Sequence, residues 1–150
     1  MKSSRSDHVD PITRSAIMRA VKSHRVRSTE LALRARIIAA GIRGWRMYAQ
    51  DLPGTPDFVF PAAKLAVYVD GCFWHGCSRC YRRPKSSQTY WDLKVSGNKS
   101  RDTRVTQALR RNGWRVRRIW EHDLQRPGRA LAIIRRALTN AQLDRQRERP

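Results

Sequence analysis

All three cysteines of the chain lie in one twelve-residue segment, VDGCFWHGCSRC. Cys72, Cys77 and Cys80 have the spacing C-x4-C-x2-C, and the short C-x2-C turn can direct two thiolates at one metal ion. A tetrahedral zinc site needs a fourth ligand, and the chain has no further cysteine to supply it. His122, in "WEHD", is the better candidate for that position, and His75, between the cysteines, competes with it. The segment therefore predicts a structural zinc site.

Two other interpretations of the cysteines remain open at this point. The same spacing occurs in plant-type iron–sulfur proteins, but that site requires a fourth cysteine. The cysteines could also be reduced thiols without any metal. A disulfide framework is disfavoured by the odd cysteine count and by the reducing cytoplasm that we expect, since the sequence shows no signal peptide and no membrane-spanning apolar run.

Acidic residues at the ends of predicted strands form a second candidate site. Asp57 precedes the strand "FVF", and Asp70 ends the strand "KLAVYVD". Neighbouring strands can bring these carboxylates together, and Glu30 on the preceding helix can complete the pocket. Oxygen ligands of this kind suit Mg²⁺, which assists hydrolysis of phosphodiesters. The alternative is that Asp57, which follows a proline, is only a turn or cap residue.

The charge of the chain indicates a polyanionic partner. The chain has 32 basic and 12 acidic residues and a formal net charge of +20. Arginine outnumbers lysine, and its planar guanidinium binds phosphate in a bidentate manner. Nucleic acid is the favoured partner; a solvated basic surface or a membrane-surface protein is the alternative. The adjacent aromatics Phe73 and Trp74 either cover the zinc loop as core residues or insert between DNA bases.

The rest of the sequence predicts the elements that position these groups. A short basic helix is expected in "PITRSAIMRAVKSH", and a second helix from an N-cap at Ser28 to Gly41. Strands are predicted in "WRMYAQ", "DFVF", "KLAVYVD" and "WRVRRIW". A loop is expected over residues 81–98, a helix over 99–111 and a last helix from about Arg129. This order predicts one α/β domain with a mixed sheet.

With these residues in view, the chain resembles the very-short-patch repair (Vsr) family of DNA mismatch endonucleases. The resemblance is carried, in order along residues 13–124, by TRSAIMRAV, TELALR, LPGTPDFVF, VDGCFWHGC, RRPKSSQTYW, NKSRDTRV and GWRVRRIWE. It implies the restriction-endonuclease-like PD-(D/E)xK fold, a mixed central sheet flanked by helices, with a zinc-stabilised loop. We expect a flexible basic arm at residues 1–12, a nuclease domain at 13–142 and a flexible tail at 143–150.

The resemblance also implies an activity and a set of cofactors. The expected reaction is Mg²⁺-dependent nicking of double-stranded DNA beside a T:G mismatch, which arises when 5-methylcytosine deaminates. Structural Zn²⁺ is expected as the second metal. The chain is expected to be a monomer in the bacterial cytoplasm at the nucleoid, with a mismatch-repair protein as a candidate partner. The alternatives are a restriction-type or general nicking nuclease, and a zinc-stabilised DNA-binding module without catalysis.

Roles for individual residues follow from the same resemblance. His75 matches the general base, Asp102 the acid that orients it, and Glu30 the acid that holds metal-bound water. The Mg²⁺ ligands would be the Asp57 side chain and the Val69 carbonyl. Asp70, at the end of its predicted strand, is a further candidate Mg²⁺ ligand from the residues themselves. The Zn²⁺ ligands would be Cys72, Cys77, Cys80 and His122. The residues expected to contact DNA are Phe73, Trp74, Arg19, Lys22, Arg82, Arg83 and Lys85.

The sequence departs from the pattern of its superfamily at the strand that ends in Asp70. The usual (D/E)-x-K motif is missing, since Cys72 follows Gly71 and no lysine is present. The resemblance therefore implies that His75, in the absence of this lysine, accepts the proton of the attacking water. Asp70 is either a further metal contact or a solvent-facing acid.

Overall fold

The computed structural model describes residues 10–126 and 128–148, and for residues 11 and 21–27 it describes the backbone alone. The helices and strands follow in the order α1 (Pro11–Ala39), β1 (Arg46–Met47), β2 (Phe58–Phe60), β3 (Leu65–Asp70), α2 (Gln88–Arg111), β4 (Arg115–Trp120), α3 (Glu121–Leu124) and α4 (Arg129–Arg147). A single 3₁₀ turn joins β2 to β3.

The four strands form one mixed sheet in the order β1-β2-β3-β4. β1 pairs antiparallel with β2, β2 antiparallel with β3, and β3 parallel with β4. The parallel pair places the carboxyl ends of β3 and β4 at the same edge, with Asp70 opposite Trp120. The segments that follow these two residues therefore leave the sheet side by side. This arrangement brings the cysteine loop close to His122.

Helices cover both faces of the sheet, as the predicted α/β class requires. On one face, Leu33 and Ile37 of α1 and Ile134 of α4 pack against Val67 and Ile119. On the other face, Leu109 of α2 packs against the alternate residues of β3 and β4, which include Tyr68 and Val116. The fold class predicted from the sequence is confirmed. Because side chains alternate along a strand, Tyr68 and Asp70 point to the α2 side.

The structure corrects the prediction of two N-terminal helices separated at Ser28. α1 is continuous, and Asp10 caps it by accepting hydrogen bonds of 2.9 Å from the backbone N–H groups of Ile12 and Thr13. Residues 12–40 contain neither glycine nor proline, so nothing in this segment interrupts the helical hydrogen bonds. Ser28, a good cap in isolation, lies in the interior of α1.

The loop predicted over residues 81–98 is also corrected, because α2 begins at Gln88. Trp91, Val95 and Asn98 are buried on one face of this helix at spacings of four and three residues. Asn98 donates a 2.7 Å hydrogen bond from Nδ2 to the carbonyl of Trp74. These buried contacts outweigh the low helix propensity of Gly97 and Asn98.

The first and last helices can be compared with the predicted arm, nuclease domain and tail. α1 begins at Pro11, within the predicted arm, and α4 continues to Arg147, within the predicted tail. The division at 1–12, 13–142 and 143–150 stays a prediction, since residues 1–9 and 149–150 lie outside the described part of the chain. Among the residues that the structure describes, no helix is both long and apolar enough to cross a membrane.

Candidate active site and metal centre

A pocket of about 400 Å³ opens between α1, the ends of β2 and β3, and α2. Asp57 comes just before β2, and its Oδ2 accepts a 2.7 Å hydrogen bond from the backbone N–H of Val69. Glu30 enters the pocket from α1 and is 4% exposed, and Asp70, at the end of β3, is 2% exposed. The structure thus brings together the acids that the sequence nominated as metal ligands.

The charges of this pocket are unfavourable without a cation. Burial, together with the neighbouring charges of Glu30 and Asp70, raises the pKa of Asp57 to about 8, although the Val69 N–H opposes this. Burial likewise raises the pKa of Asp70, while the nearby His75 and Arg118 lower it. A divalent cation would favour ionised carboxylates here. The oxygen donors of Asp57 and of the Val69 backbone fit Mg²⁺, which prefers such ligands.

The His75 side chain also lines this pocket, together with Asp102. His75 lies on the loop after β3, and its Nδ1 is 2.6 Å from Oδ2 of Asp102 on α2. A carboxylate this close to Nδ1 favours the tautomer with the proton on Nδ1, which leaves Nε2 able to accept a proton. Asp70 lies farther away, with 3.8 Å between Oδ1 and Nδ1 of His75. The pair has the geometry of a general base and its orienting acid.

Gly76 permits the turn that presents His75. Its φ is +60°, and a Cβ there would lie 2.6 Å from side-chain atoms of both Val95 and Lys99 on α2. Glycine adopts this backbone conformation without strain, and it leaves room for α2. The close approach of the loop to α2 is what brings His75 within reach of Asp102.

Three cysteines and one histidine converge beside the pocket. The Nδ1 of His122 lies 3.2 Å from the Sγ of Cys72, 3.6 Å from that of Cys77 and 3.3 Å from that of Cys80. Across the described residues, this is the one group of three or more histidines, cysteines or acids whose ligand atoms all lie within 4.8 Å. One ring nitrogen cannot share a single proton among three sulfurs.

The spacing of this group fits zinc. Bond lengths of about 2.3 Å to sulfur and about 2.0 Å to nitrogen give a tetrahedral N–S edge of about 3.5 Å. The Nε2 of His122 faces Asp123 Oδ1 at 3.6 Å, which places an acid where zinc-binding histidines usually have one. The Cys₃His group can therefore bind zinc, and His75, its competitor in the sequence, is directed to Asp102 instead.

The aromatic pair is packed rather than projecting. Trp74 is 6% exposed, and Phe73 is half-buried. The Phe73 ring lies 5.3 Å from that of Trp74, 5.2 Å from that of Trp91 and 5.7 Å from that of Tyr81. The core interpretation of these aromatics therefore describes this structure. Insertion into DNA stays a prediction.

The basic residues nominated for DNA contact have different surroundings. Arg19, Arg82 and Lys85 are exposed, whereas the guanidinium of Arg83 is paired with Asp92 at 2.6 Å. Lys22 lies outside the described side chains. Of this set, Arg83 would have to exchange an existing ion pair for a phosphate contact.

The sequence analysis missed two residues that bind the acids of the pocket, Tyr48 and Arg118. Tyr48 donates a 2.7 Å hydrogen bond from its hydroxyl to Oε2 of Glu30, and it has a positive φ of 53°. Arg118 on β4 contacts both Asp70 and Asp102. The alternation in "WRVRRIW" predicted a half-buried strand, but it gave no sign that acids would meet Arg118.

A buried acidic pocket with a His–Asp pair lies beside a Cys₃His group on a basic α/β fold, which is compatible with a nuclease of the PD-(D/E)xK type. Residues 6–82 match the family "DNA mismatch endonuclease Vsr". The chain belongs to this family and is a DNA endonuclease. The non-catalytic alternative is therefore excluded.

Curated relatives carry two kinds of name. The chain is 40% identical over 134 residues to the type II nicking enzyme V.XorIIP of Xanthomonas oryzae pv. oryzae, a match that covers 89% of this chain and 97% of the relative. It is 33% identical to the type II nicking enzyme V.HpaIIP of Haemophilus parainfluenzae, over 88% and 95% of the two chains. It is 35% identical to the DNA mismatch endonuclease Vsr of Escherichia coli, over 80% and 76%.

Proposed function

We propose that this endonuclease nicks one strand of double-stranded DNA beside a T:G mismatch in a Mg²⁺-dependent reaction. The observation that carries the proposal is the His75–Asp102 pair, which lines the same pocket as the buried acids Glu30, Asp57 and Asp70. A binding surface for DNA phosphates has no use for buried acids, because they repel the phosphates. A cation site for phosphodiester hydrolysis requires them.

The residues divide the chemical work. Asp57 and the Val69 carbonyl would hold the Mg²⁺, which when bound supplies positive charge for the negative charge that develops on the phosphate. His75 accepts the proton of the attacking water at Nε2, and Asp102 keeps the ring in the required tautomer. Glu30, oriented by Tyr48, orders water in the pocket. Asp70, paired with Arg118, is less available to a metal than Asp57.

The Cys₃His group is proposed to hold structural Zn²⁺. Such a site links the loop after β3 to the segment after β4 and fixes the short stretch between Cys72 and Cys77 that carries His75. Phe73 and Trp74 occupy the same stretch, so zinc would also set the distance between the aromatic rings and the reacting phosphate. We propose that these rings contact the bases at the mismatch.

A second candidate is a nicking enzyme with a different target. It is favoured by the names of the relatives V.XorIIP and V.HpaIIP, which are type II nicking enzymes. The two candidates share their chemistry and differ only in the DNA that they select. The monomeric state, the cytoplasmic location and a mismatch-repair partner stay predictions.

A panel of end-labelled duplexes tests the proposal and separates the two candidates. Each duplex carries a T:G pair, another mismatch or a matched pair in varied flanking sequence, and is incubated with Mg²⁺ or with a chelator. We expect nicks beside T:G only, on one strand, and none with the chelator. Nicking that follows the flanking sequence and ignores the mismatch would establish the second candidate instead.

A further inference from the structure

Arg118 connects the two acids that face His75. It lies on β4, opposite Tyr68 in the parallel pairing with β3. Its Nη1 is 3.1 Å from Oδ2 of Asp70, and its Nη2 is 3.0 Å from Oδ1 of Asp102. One planar guanidinium therefore binds two carboxylates at once. The compact ammonium group of a lysine reproduces this geometry poorly.

The Asp102 carboxylate is shared between two partners. Its Oδ1 accepts from Arg118, and its Oδ2 lies 2.6 Å from Nδ1 of His75. Because each oxygen is held from a different direction, the carboxylate cannot rotate without losing one partner. The orientation of the His75 ring is thereby linked to the position of Arg118.

Arg118 is itself held by the sheet. Its guanidinium carbon lies 4.8 Å from the centre of the Tyr68 ring, and the Tyr68 hydroxyl donates a 2.8 Å hydrogen bond to the carbonyl of Pro53. The Nε of Arg118 is buried and has no hydrogen-bond partner in the described part of the chain. Since Nε gains no hydrogen bond there, the polar contacts that hold the guanidinium are those of its terminal nitrogens to Asp70 and Asp102.

We propose that Arg118 is a positioning residue of the active site. It clamps Asp102 so that His75 presents Nε2 to the attacking water, and its charge offsets that of Asp70. Without it, Arg101 would be left to compensate Asp70, and the two carboxylates would face an incoming DNA phosphate with less positive charge beside them. This inference rests on the proposed nicking reaction, in which His75 is the base.

The first test compares Arg118→Met with Arg117→Met. Arg117 lies on the same strand, donates a 3.0 Å hydrogen bond to the Val116 carbonyl and forms no ion pair with either acid, so it is a matched control for the loss of charge. Single-turnover nicking is measured on the T:G duplex at saturating protein, and the Kd is measured by gel shift in Ca²⁺.

We expect Arg118→Met to slow nicking about 100-fold, with a Kd within about threefold of wild type, because misplacing a catalytic group by about 1 Å has an effect of this size. Added guanidinium chloride should restore part of the rate, and methylammonium should not. Arg117→Met should nick at close to the wild-type rate. An unchanged rate in Arg118→Met overturns the inference.

The second test does not depend on activity. The Nδ1–H proton of His75, hydrogen-bonded to Asp102, is followed by ¹H NMR and assigned by its absence from His75→Gln. We expect it in wild type and in Arg117→Met, and we expect its loss or a large shift in Arg118→Met. An unchanged proton signal in Arg118→Met overturns the inference whether or not the protein nicks DNA. If wild type fails to nick but the signal responds as expected, the proposed function fails and the positioning role stands.

Arg118→Lys keeps the positive charge and serves if Arg118→Met does not fold. We expect this variant to fold, to nick at an intermediate rate and to show a shifted His75 proton, since an ammonium group cannot hold both acids in the same geometry. A wild-type nicking rate together with an unshifted His75 proton signal would mean that a point charge is sufficient. The proposal that Arg118 clamps Asp102 would then be wrong.

Discussion

Replacing Asp57 with asparagine removes the acid whose ionisation the fold opposes most clearly. In the metal-free protein, the pKa of the Asp57 carboxyl is raised from an ordinary value of 3.8 to about 8. The unfolded state therefore binds fewer protons than the folded state between these two values. The free energy of unfolding must fall as the pH rises through this window. Asparagine has no such ionisation, and its side chain can still accept the hydrogen bond from Val69 N–H.

The size of the effect follows from the two pKa values. Each pKa unit corresponds to about 1.4 kcal/mol, so ionising Asp57 in the fold costs at most about 6 kcal/mol at high pH. Asp57 interacts strongly with Glu30, and the two share the cost, so we expect about 2–4 kcal/mol for the single replacement. In a chain of this length, that corresponds to a Tm difference of about 5–15 °C.

Thermal unfolding of wild type and Asp57→Asn, at pH 5 and pH 8 in a chelator, measures this directly. We expect the variant to melt above wild type at pH 8 and by a smaller margin at pH 5, since the loss begins at pH 3.8. We expect Mg²⁺ to raise the Tm of wild type but not that of Asp57→Asn. Asp51→Asn is the control, because Asp51 is an exposed acid paired with Arg46 and its pKa is lowered. An Asp57→Asn protein that melts below wild type at pH 8 in the chelator would contradict the account of the acidic pocket.

Two further predictions concern His75 and the cysteine loop. His75→Ala should bind a T:G duplex with unchanged Kd and nick it about 10²–10⁴-fold more slowly, as expected for loss of a general base; retained nicking would remove His75 from the mechanism. Cys80→Ser should lower the zinc content from one per chain towards zero and the Tm by about 10 °C or more. Zinc-free wild type with an unchanged Tm would show that the Cys₃His group carries no structural metal.

The sequence predicted those parts of the structure that depend on local pattern. The buried run in "KLAVYVD" and the alternation in "WRVRRIW" correspond to β3 and β4. The cysteine spacing narrowed the zinc ligands to three cysteines and one of two histidines. The choice of His122 over His75 as the fourth zinc ligand depends on the parallel pairing of β3 with β4. This pairing places His122, which follows β4, beside the cysteine loop, which follows β3.

Features that depend on tertiary packing could not be predicted from the local sequence. Ser28 favours a helix cap locally, but the segment around it has no helix breaker, and α1 continues through it. Asn98 favours a loop until its side chain binds the carbonyl of Trp74. The contacts of Arg118 join β4, β3 and α2, which are separated by up to 48 residues along the chain, so no local pattern encodes them.

The most direct test of the central claim is the rate of strand cleavage on two duplexes that differ by one base. One carries T:G and the other T:A in the same flanking sequence, each assayed with Mg²⁺ and with a chelator. The account predicts one nick, beside the mismatched thymine, on the T:G duplex with Mg²⁺, and none in the other three reactions. Equal cleavage of the two duplexes, or cleavage of T:G that persists in the chelator, would contradict it.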